Sequence, residues 1–99
     1  MSGTLHTVAA NGIHQFSRWE MRRPPDLETL RRLIGGGYIE RVQVNWEGRC
    51  RQAYVDEDGI QKQLQINPFA MKLLTPRWQG SRIWGTLVVW VPDKKEAKK

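Results

Sequence analysis

Hydrophobic positions recur with a helical period in only one part of the chain. The segment after Asp26 carries apolar residues at positions i, i+3, i+6 and i+7, which lie on one face of a helix. These residues are Leu27, Leu30, Leu33 and Ile34. Asp26 is a favoured N-cap, and Gly35 can adopt the left-handed conformation that ends a helix. The pattern predicts an amphipathic helix over residues 27–34, with Arg31 and Arg32 off its apolar face.

From residue 39 the period changes to two, as in a β-strand. Val42, Val44 and Trp46 share one face, and polar residues occupy the other. A turn at residues 47–48 and a return strand over 49–55 complete a predicted hairpin. A second hairpin is predicted near the N-terminus, with strands over residues 4–10 and 13–21 joined by the turn dipeptide at 11–12.

The pattern is shorter and less regular after residue 55. Residues 56–59 read as an acidic hairpin turn, and residues 60–66 as an optional short strand. Asn67 followed by Pro68 is a favoured way to open a helix, here predicted over residues 69–74. A loop over 77–82 precedes a last, strongly apolar strand over 83–91.

The order of elements is therefore β-β-α-β-β-(β)-α-β. It predicts an α+β fold with a mainly antiparallel β-sheet and two helices on one of its faces. A chain of 99 residues has room for one hydrophobic core, so residues 1–92 are expected to form a single domain. Residues 93–99 carry four lysines and are expected to be a flexible basic tail.

Composition narrows the class of protein. With 39% hydrophobic and 26% charged residues the chain reads as a globular domain, and its longest apolar run is too short to span a bilayer. No signal peptide is evident, and the single cysteine cannot form an internal disulfide. These features predict a cytoplasmic protein without a membrane partner. The net charge of +6 favours an anionic partner without choosing its kind.

Arginine next to tryptophan is the most informative chemical pattern. Aromatic rings stack on bases and guanidinium groups pair with phosphates, so the combination suits nucleotides. The loop over 77–82 concentrates both residue types, and the helix start at Asn67 adds an anion-binding end. The predicted ligand-binding residues are Arg77, Trp78, Ser81, Arg82, Asn67 and Trp19. Among the five tryptophans, Trp46, Trp84 and Trp90 are expected in the core, and Trp19 and Trp78 are expected to be exposed.

The sequence gives no positive evidence for a catalytic site or a metal site. His6 and His14 are able to meet across the first hairpin, but two histidines without a third ligand make a poor metal site. No base is placed beside Cys50 by the sequence, so a packed, inert thiol is expected. No catalytic residues, metal site or cofactor are therefore predicted, and the protein is expected not to be an enzyme.

Four segments in order resemble a family of short phage- and plasmid-encoded proteins that is catalogued as a domain of unknown function. They read LIGGGYIERV, AYVDEDG, INPFAMKLL and IWGTLVVW, within residues 26–91. The family has an aspartate after the glycine of the last segment, where this chain has Thr86. The resemblance implies a small cytoplasmic accessory protein of a mobile element and carries over no catalytic residues.

Three functions remain open. The resemblance and the Arg–Trp loop together favour a homo-oligomeric binder that sequesters a nucleotide-type immune signal as a counter-defence. The first alternative is a nucleic-acid-binding accessory protein that uses Arg22, Arg23, Arg31 and Arg32 on phosphates. The second alternative is an inhibitor that docks on a host protein through an exposed strand edge or tryptophan patch.

Overall fold

The computed structural model describes residues 2–21 and 23–93. The elements are β1 (Gly3–Val8), β2 (His14–Trp19), α1 (Leu27–Ile34), β3 (Ile39–Trp46), β4 (Arg49–Asp56), α2 (Pro68–Met71), a 3₁₀ turn (Pro76–Trp78) and β5 (Leu87–Pro92). The strands form one antiparallel sheet in the order β2-β1-β5-β4-β3. The predicted α+β class is confirmed. Apart from Asp93, the predicted basic tail lies outside the described residues.

The two helices cover opposite faces of the sheet. Leu30 and Ile34 of α1 pack with Val88, whereas Ala70 of α2 packs with Leu87 and with residues on the other face. The expectation that both helices share one face is wrong. The reason lies in β5, where Leu87, Val88 and Val89 alternate between the two faces and are all fully buried. Both faces of this central strand are apolar, so other elements must pack on both faces to shield them from water.

The boundaries of α1 agree with the sequence prediction. The Asp26 carboxylate accepts a hydrogen bond from the Thr29 amide at 2.9 Å, as an N-cap does. Gly35 has a φ of 117° and donates its amide to the Arg31 carbonyl, which ends the helix. Leu27 and Leu33 are 50% and 37% exposed, so only half of the predicted apolar face is buried.

The connection in the first hairpin is longer than the predicted two-residue turn. The Gly12 amide donates to the Ala9 carbonyl, and the Ala9 amide donates to the Ile13 carbonyl. Gly12 has a φ of 90°, the conformation that places a bulge next to a three-residue turn. The turn takes up the ends of the predicted strands, and β1 and β2 are six residues each.

The segment between β4 and β5 departs most from the prediction. Residues 57–63 form consecutive turns in place of the optional strand. The helix α2 ends at Met71 because the following residues lie against the edge of β3. There the Asn45 amide donates to the Leu73 carbonyl, and the Thr75 amide donates to the Gln43 carbonyl. The last strand begins at residue 87 rather than 83, after a turn at Gly85 with a φ of 93°.

All five tryptophans are partly buried. Trp46 and Trp78 pack against the cluster that contains Ala70, and Trp19 and Trp90 pack against the cluster under α1. The predicted exposure of Trp19 and Trp78 is therefore wrong. Partial burial is common for tryptophan, which is large and carries a polar N–H.

Lys62 joins the turns at residues 57–63 to the glycine turn after α1 and forms an ion pair with the buried Asp56 carboxylate. The Lys62 Nζ atom lies 2.7 Å from Asp56 Oδ2 and donates to the Gly36 carbonyl at 3.1 Å. The Asp56 side chain is 1% exposed, and its other oxygen accepts from the Asp58 amide. One lysine therefore fixes two turns at the same end of the sheet.

Candidate functional site

A groove runs along the outer edge of β3, where the 3₁₀ turn crosses it. Its volume is about 270 Å³. The lining residues are Arg41, Val42, Gln43, Gln52, Arg77 and Trp78. Most of these side chains are polar hydrogen-bond donors, and two of them carry positive charge.

The pairing register of β3 and β4 determines which polar side chains lie together in the groove. Gln43 of β3 lies opposite Gln52 of β4, and Arg41 lies opposite Tyr54. These four residues share one face of the hairpin because side chains alternate along a strand. The turn that carries Arg77 is held against β3 by the Thr75 amide, which donates to the Gln43 carbonyl.

The charges in the groove are unbalanced. No carboxylate lines it, and neither Arg41 nor Arg77 makes an ion pair with any residue in the described ranges. The Tyr54 hydroxyl donates to Gln52 Oε1 at 3.2 Å, which leaves the amide nitrogen of Gln52 to donate to a ligand. Burial raises the pKa of the Tyr54 hydroxyl, with Arg41 opposing, so this donor keeps its proton at neutral pH. The groove offers donors to an anion.

The structure brings together only part of the predicted ligand-binding loop. Arg77 and Trp78 line the groove, as a binding role requires. Arg82 instead lines a separate cavity of about 420 Å³ with Glu40 and Glu57. The Ser81 amide closes the turn by donating to the Trp78 carbonyl. The two arginines of the loop therefore face different cavities with different charge.

Two predicted site residues have structural roles instead. Asn67 is fully buried, its amide nitrogen donates to the Val8 and Gly85 carbonyls, and its oxygen accepts from the Ala70 amide. No atom of this side chain is left for a ligand. Trp19 packs against the cluster under α1, where its indole N–H donates to the Arg23 carbonyl. Neither residue lines the groove.

Sequence reasoning missed Arg41, Gln43 and Gln52. The period of two showed that Arg41 and Gln43 share the polar face of β3. Nothing in that pattern showed that residues 73–78 fold back along this edge and make a groove of it. The missing information was the position of the turn, which depends on contacts distant in sequence.

An aromatic cluster lies on the face that α2 covers. His6 Nδ1 lies 2.9 Å from His14 Nε2, and the Trp46 ring centroid lies 4.8 Å from that of His6. The predicted meeting of the two histidines is confirmed. Burial lowers the pKa of His6, and the neighbouring His14 lowers it further. The fold therefore favours the neutral form of His6.

We expect the stability of the protein to fall as the pH drops from 7.5 to 5.5. The unfolded chain then binds a proton at His6 that the folded chain resists, because the folded pKa lies below the ordinary value of 6.5. Urea unfolding at the two pH values measures the effect, and His6→Gln should reduce the difference. An equal difference in wild type and variant would contradict this assignment.

The arginines of the nucleic-acid alternative do not form a free basic stripe. Arg23 lies 3.5 Å from Asp26 and its guanidinium stacks over Trp19. The Nε atom of Arg31 is buried, whereas Arg32 is exposed. Arg22 lies outside the described residues. Arg31 and Arg32 make no ion pair within the described ranges, so α1 and the β3 groove each carry two cations without a carboxylate partner.

The described part of the chain gives little support for a metal site or for a packed cysteine. No group of three or more His, Cys, Asp or Glu side chains is placed to hold a metal ion there. Cys50 is exposed at the start of β4, not packed as expected. None of the helices in residues 2–21 and 23–93 has the length and apolar character needed to cross a bilayer.

Comparisons with known proteins give no further guide. No protein-family model matches the chain, no curated protein matches it, and no solved structure matches it.

Proposed function

We propose that the protein is a non-catalytic binder of an anionic ligand of the nucleotide type, held in the groove at the edge of β3. The observation that carries this proposal is the pair Arg41 and Arg77. Both line one small cavity beside the Trp78 ring, and no carboxylate of the described residues balances them there.

The lining residues suit the parts of a nucleotide. Guanidinium groups donate paired hydrogen bonds to phosphate oxygens, and these charge-assisted bonds are about twice as strong as neutral ones. The Trp78 ring offers a surface for a base, and the amides of Gln43 and Gln52 offer polar contacts to base or sugar. The cavity of about 270 Å³ lies just below the range of roughly 300–1,000 Å³ for enclosed ligand sites. A mononucleotide-sized unit is held, and a larger ligand extends into solvent.

Sequestration fits this site better than turnover. The groove is lined by no serine, cysteine, histidine or carboxylate able to act as nucleophile or general base. With the resemblance to mobile-element proteins, the proposed role is withdrawal of a nucleotide signal of host immunity in the cytoplasm. Such a role depends on affinity and abundance and not on a chemical step.

Arg77→Ala and Arg41→Ala should each weaken binding of the ligand by about 10- to 100-fold. This is the cost of about 1.5–3 kcal/mol for a hydrogen bond to a charged group. Isothermal titration with AMP, cyclic mononucleotides, cyclic dinucleotides, cyclic ADP-ribose and inorganic phosphate identifies the ligand and gives the affinities. Native mass spectrometry after incubation with small molecules from a cell extract gives the mass of any retained ligand.

Arg82→Ala is the matched control, because Arg82 belongs to the same loop but faces the other cavity. Its affinity should stay within about twofold of wild type, since surface substitutions away from a site have small effects. Loss of binding with Arg82→Ala but not with Arg77→Ala would move the site to the other cavity. Absence of binding to every probe at high micromolar concentration would refute the proposal.

A further inference from the structure

The outer edge of β2 is the longest unpaired strand edge in the described part of the chain. No strand of residues 2–21 and 23–93 pairs with it, although β2 is six residues long. On the opposite side of the sheet, residues 73–75 already bond to β3. We infer that β2 pairs antiparallel with β2 of a second copy of this chain, which joins two sheets into one of ten strands.

The turn of the first hairpin shows which backbone groups point outward. Since the Ala9 amide donates to the Ile13 carbonyl, paired residues alternate between bonded and non-bonded from that point. The pairs of β1 with Gln15, Ser17 and Trp19 are the bonded ones. The backbone N–H and C=O groups of His14, Phe16 and Arg18 therefore face away from β1 and are free to pair with another strand.

These three residues are spaced symmetrically about Phe16, so the edge is complementary to itself. A two-fold axis at Phe16 places Phe16 opposite its own copy and His14 opposite Arg18 of the second copy. Each such pair exchanges two backbone hydrogen bonds, which makes about six in the dimer. The backbone bonds fit any extended strand, and the side chains favour a second copy, because the exposed Phe16 ring meets its own equivalent at the axis.

The side chains of β2 allow this approach. Phe16 is 70% exposed, and pairing brings the two rings together on one face. The guanidinium of Arg18 is held by Asp93 at 2.9 Å and by Glu20 at 3.2 Å, so its charge is compensated within one copy. Gln15 and Ser17, which become cross-strand neighbours, are uncharged. The strand has no proline and no lysine, the residues that commonly protect an edge.

A cavity beside the same edge is covered in this arrangement. It has a volume of about 450 Å³ and lies between β2 and Leu33 of α1. Leu33 is 37% exposed. The second β2 extends the sheet at the open side of this cavity, and both α1 helices come to lie on the same face of the joined sheet.

Cross-linking at the proposed axis gives a direct test in the full chain, with Cys50→Ser as the background for each variant. In the proposed register the Cα atoms of Phe16 and its copy are about 5.5 Å apart, within the range of a disulfide. Phe16→Cys should therefore oxidise to a covalent dimer. Gln15→Cys is the matched control, because its two copies lie about 7–8 Å apart on the diagonal and resist a disulfide.

Light scattering after size exclusion, from micromolar to near-millimolar concentration, supplies the second measurement. We expect a mass of twice 11.5 kDa for wild type and a return toward the monomer for Phe16→Pro. That proline removes an outward N–H and leaves the bonds to β1 intact. A monomeric wild type at every concentration would overturn the inference and direct attention to a different partner for this edge. A dimer that cross-links no faster through Phe16→Cys than through Gln15→Cys would place the interface elsewhere.

Discussion

Asn67→Ala is expected to lower the free energy of unfolding by about 3–5 kcal/mol, more than most single substitutions do. The Asn67 amide donates to the Val8 carbonyl at 2.9 Å and to the Gly85 carbonyl at 2.7 Å, and its oxygen caps α2 at the Ala70 amide. The substitution removes the hydrogen-bond partner of the Val8 carbonyl, the Gly85 carbonyl and the Ala70 amide at the same time. The side chain is fully buried, so water has no easy access to replace it. Urea unfolding measures the loss.

Asn45→Ala is the control for that measurement, because Asn45 is exposed on β3. Its free energy of unfolding should change by less than about 0.5 kcal/mol. The comparison also separates folding from binding at Asn67. An Asn67→Ala variant with wild-type stability but weakened ligand affinity would restore the role in binding that the hydrogen bonds argue against.

Lys62→Met is expected to cost about 2–4 kcal/mol, because it leaves the Asp56 carboxylate buried without a cation. The Asp56 side chain is 1% exposed, whereas Lys62 is 36% exposed, so the carboxylate carries the larger penalty when the pair is broken. The substitution also removes the donor to the Gly36 carbonyl. Thermal and urea unfolding should both show the loss.

Two further variants locate the cause of that cost. Lys72→Met removes an exposed lysine and should leave stability nearly unchanged. Adding Asp56→Asn to Lys62→Met should recover part of the loss, because it replaces the unpaired charge with a neutral amide. If the double variant is less stable than Lys62→Met alone, the penalty comes from the lost contact with Gly36 and not from the buried charge.

Sequence reasoning predicted elements with strong local signals. The helix α1 has a cap, an acidic first turn and a terminal glycine, and each signal acts within a few residues of Leu27–Ile34. The hairpin of β3 and β4 was equally local. The segment over residues 57–86 was predicted poorly, because its conformation follows from contacts with β3 and with Val8, far away in sequence.

The candidate site shows the same division. Arg77 and Trp78 were found because they are neighbours in the chain. Arg41 and Gln52 belong to the site only because β3 and β4 pair in one register and the 3₁₀ turn lies across them. Asn67 was misassigned because the same side chain that can receive an anion can equally satisfy buried carbonyls. Burial decides between the two roles, and sequence alone did not give it.

The place of β5 in the sheet has a consequence for biosynthesis. The last strand along the chain lies in the middle, between β1 and β4, so the two hairpins share no direct strand pairing. An isolated hairpin is at best marginally stable in water. Until β5 is synthesised, the two hairpins lack the strand that lies between them in the folded sheet, and the apolar side chains that pack against β5 stay uncovered. We therefore expect folding of the sheet to be completed only after Leu87–Pro92 has left the ribosome.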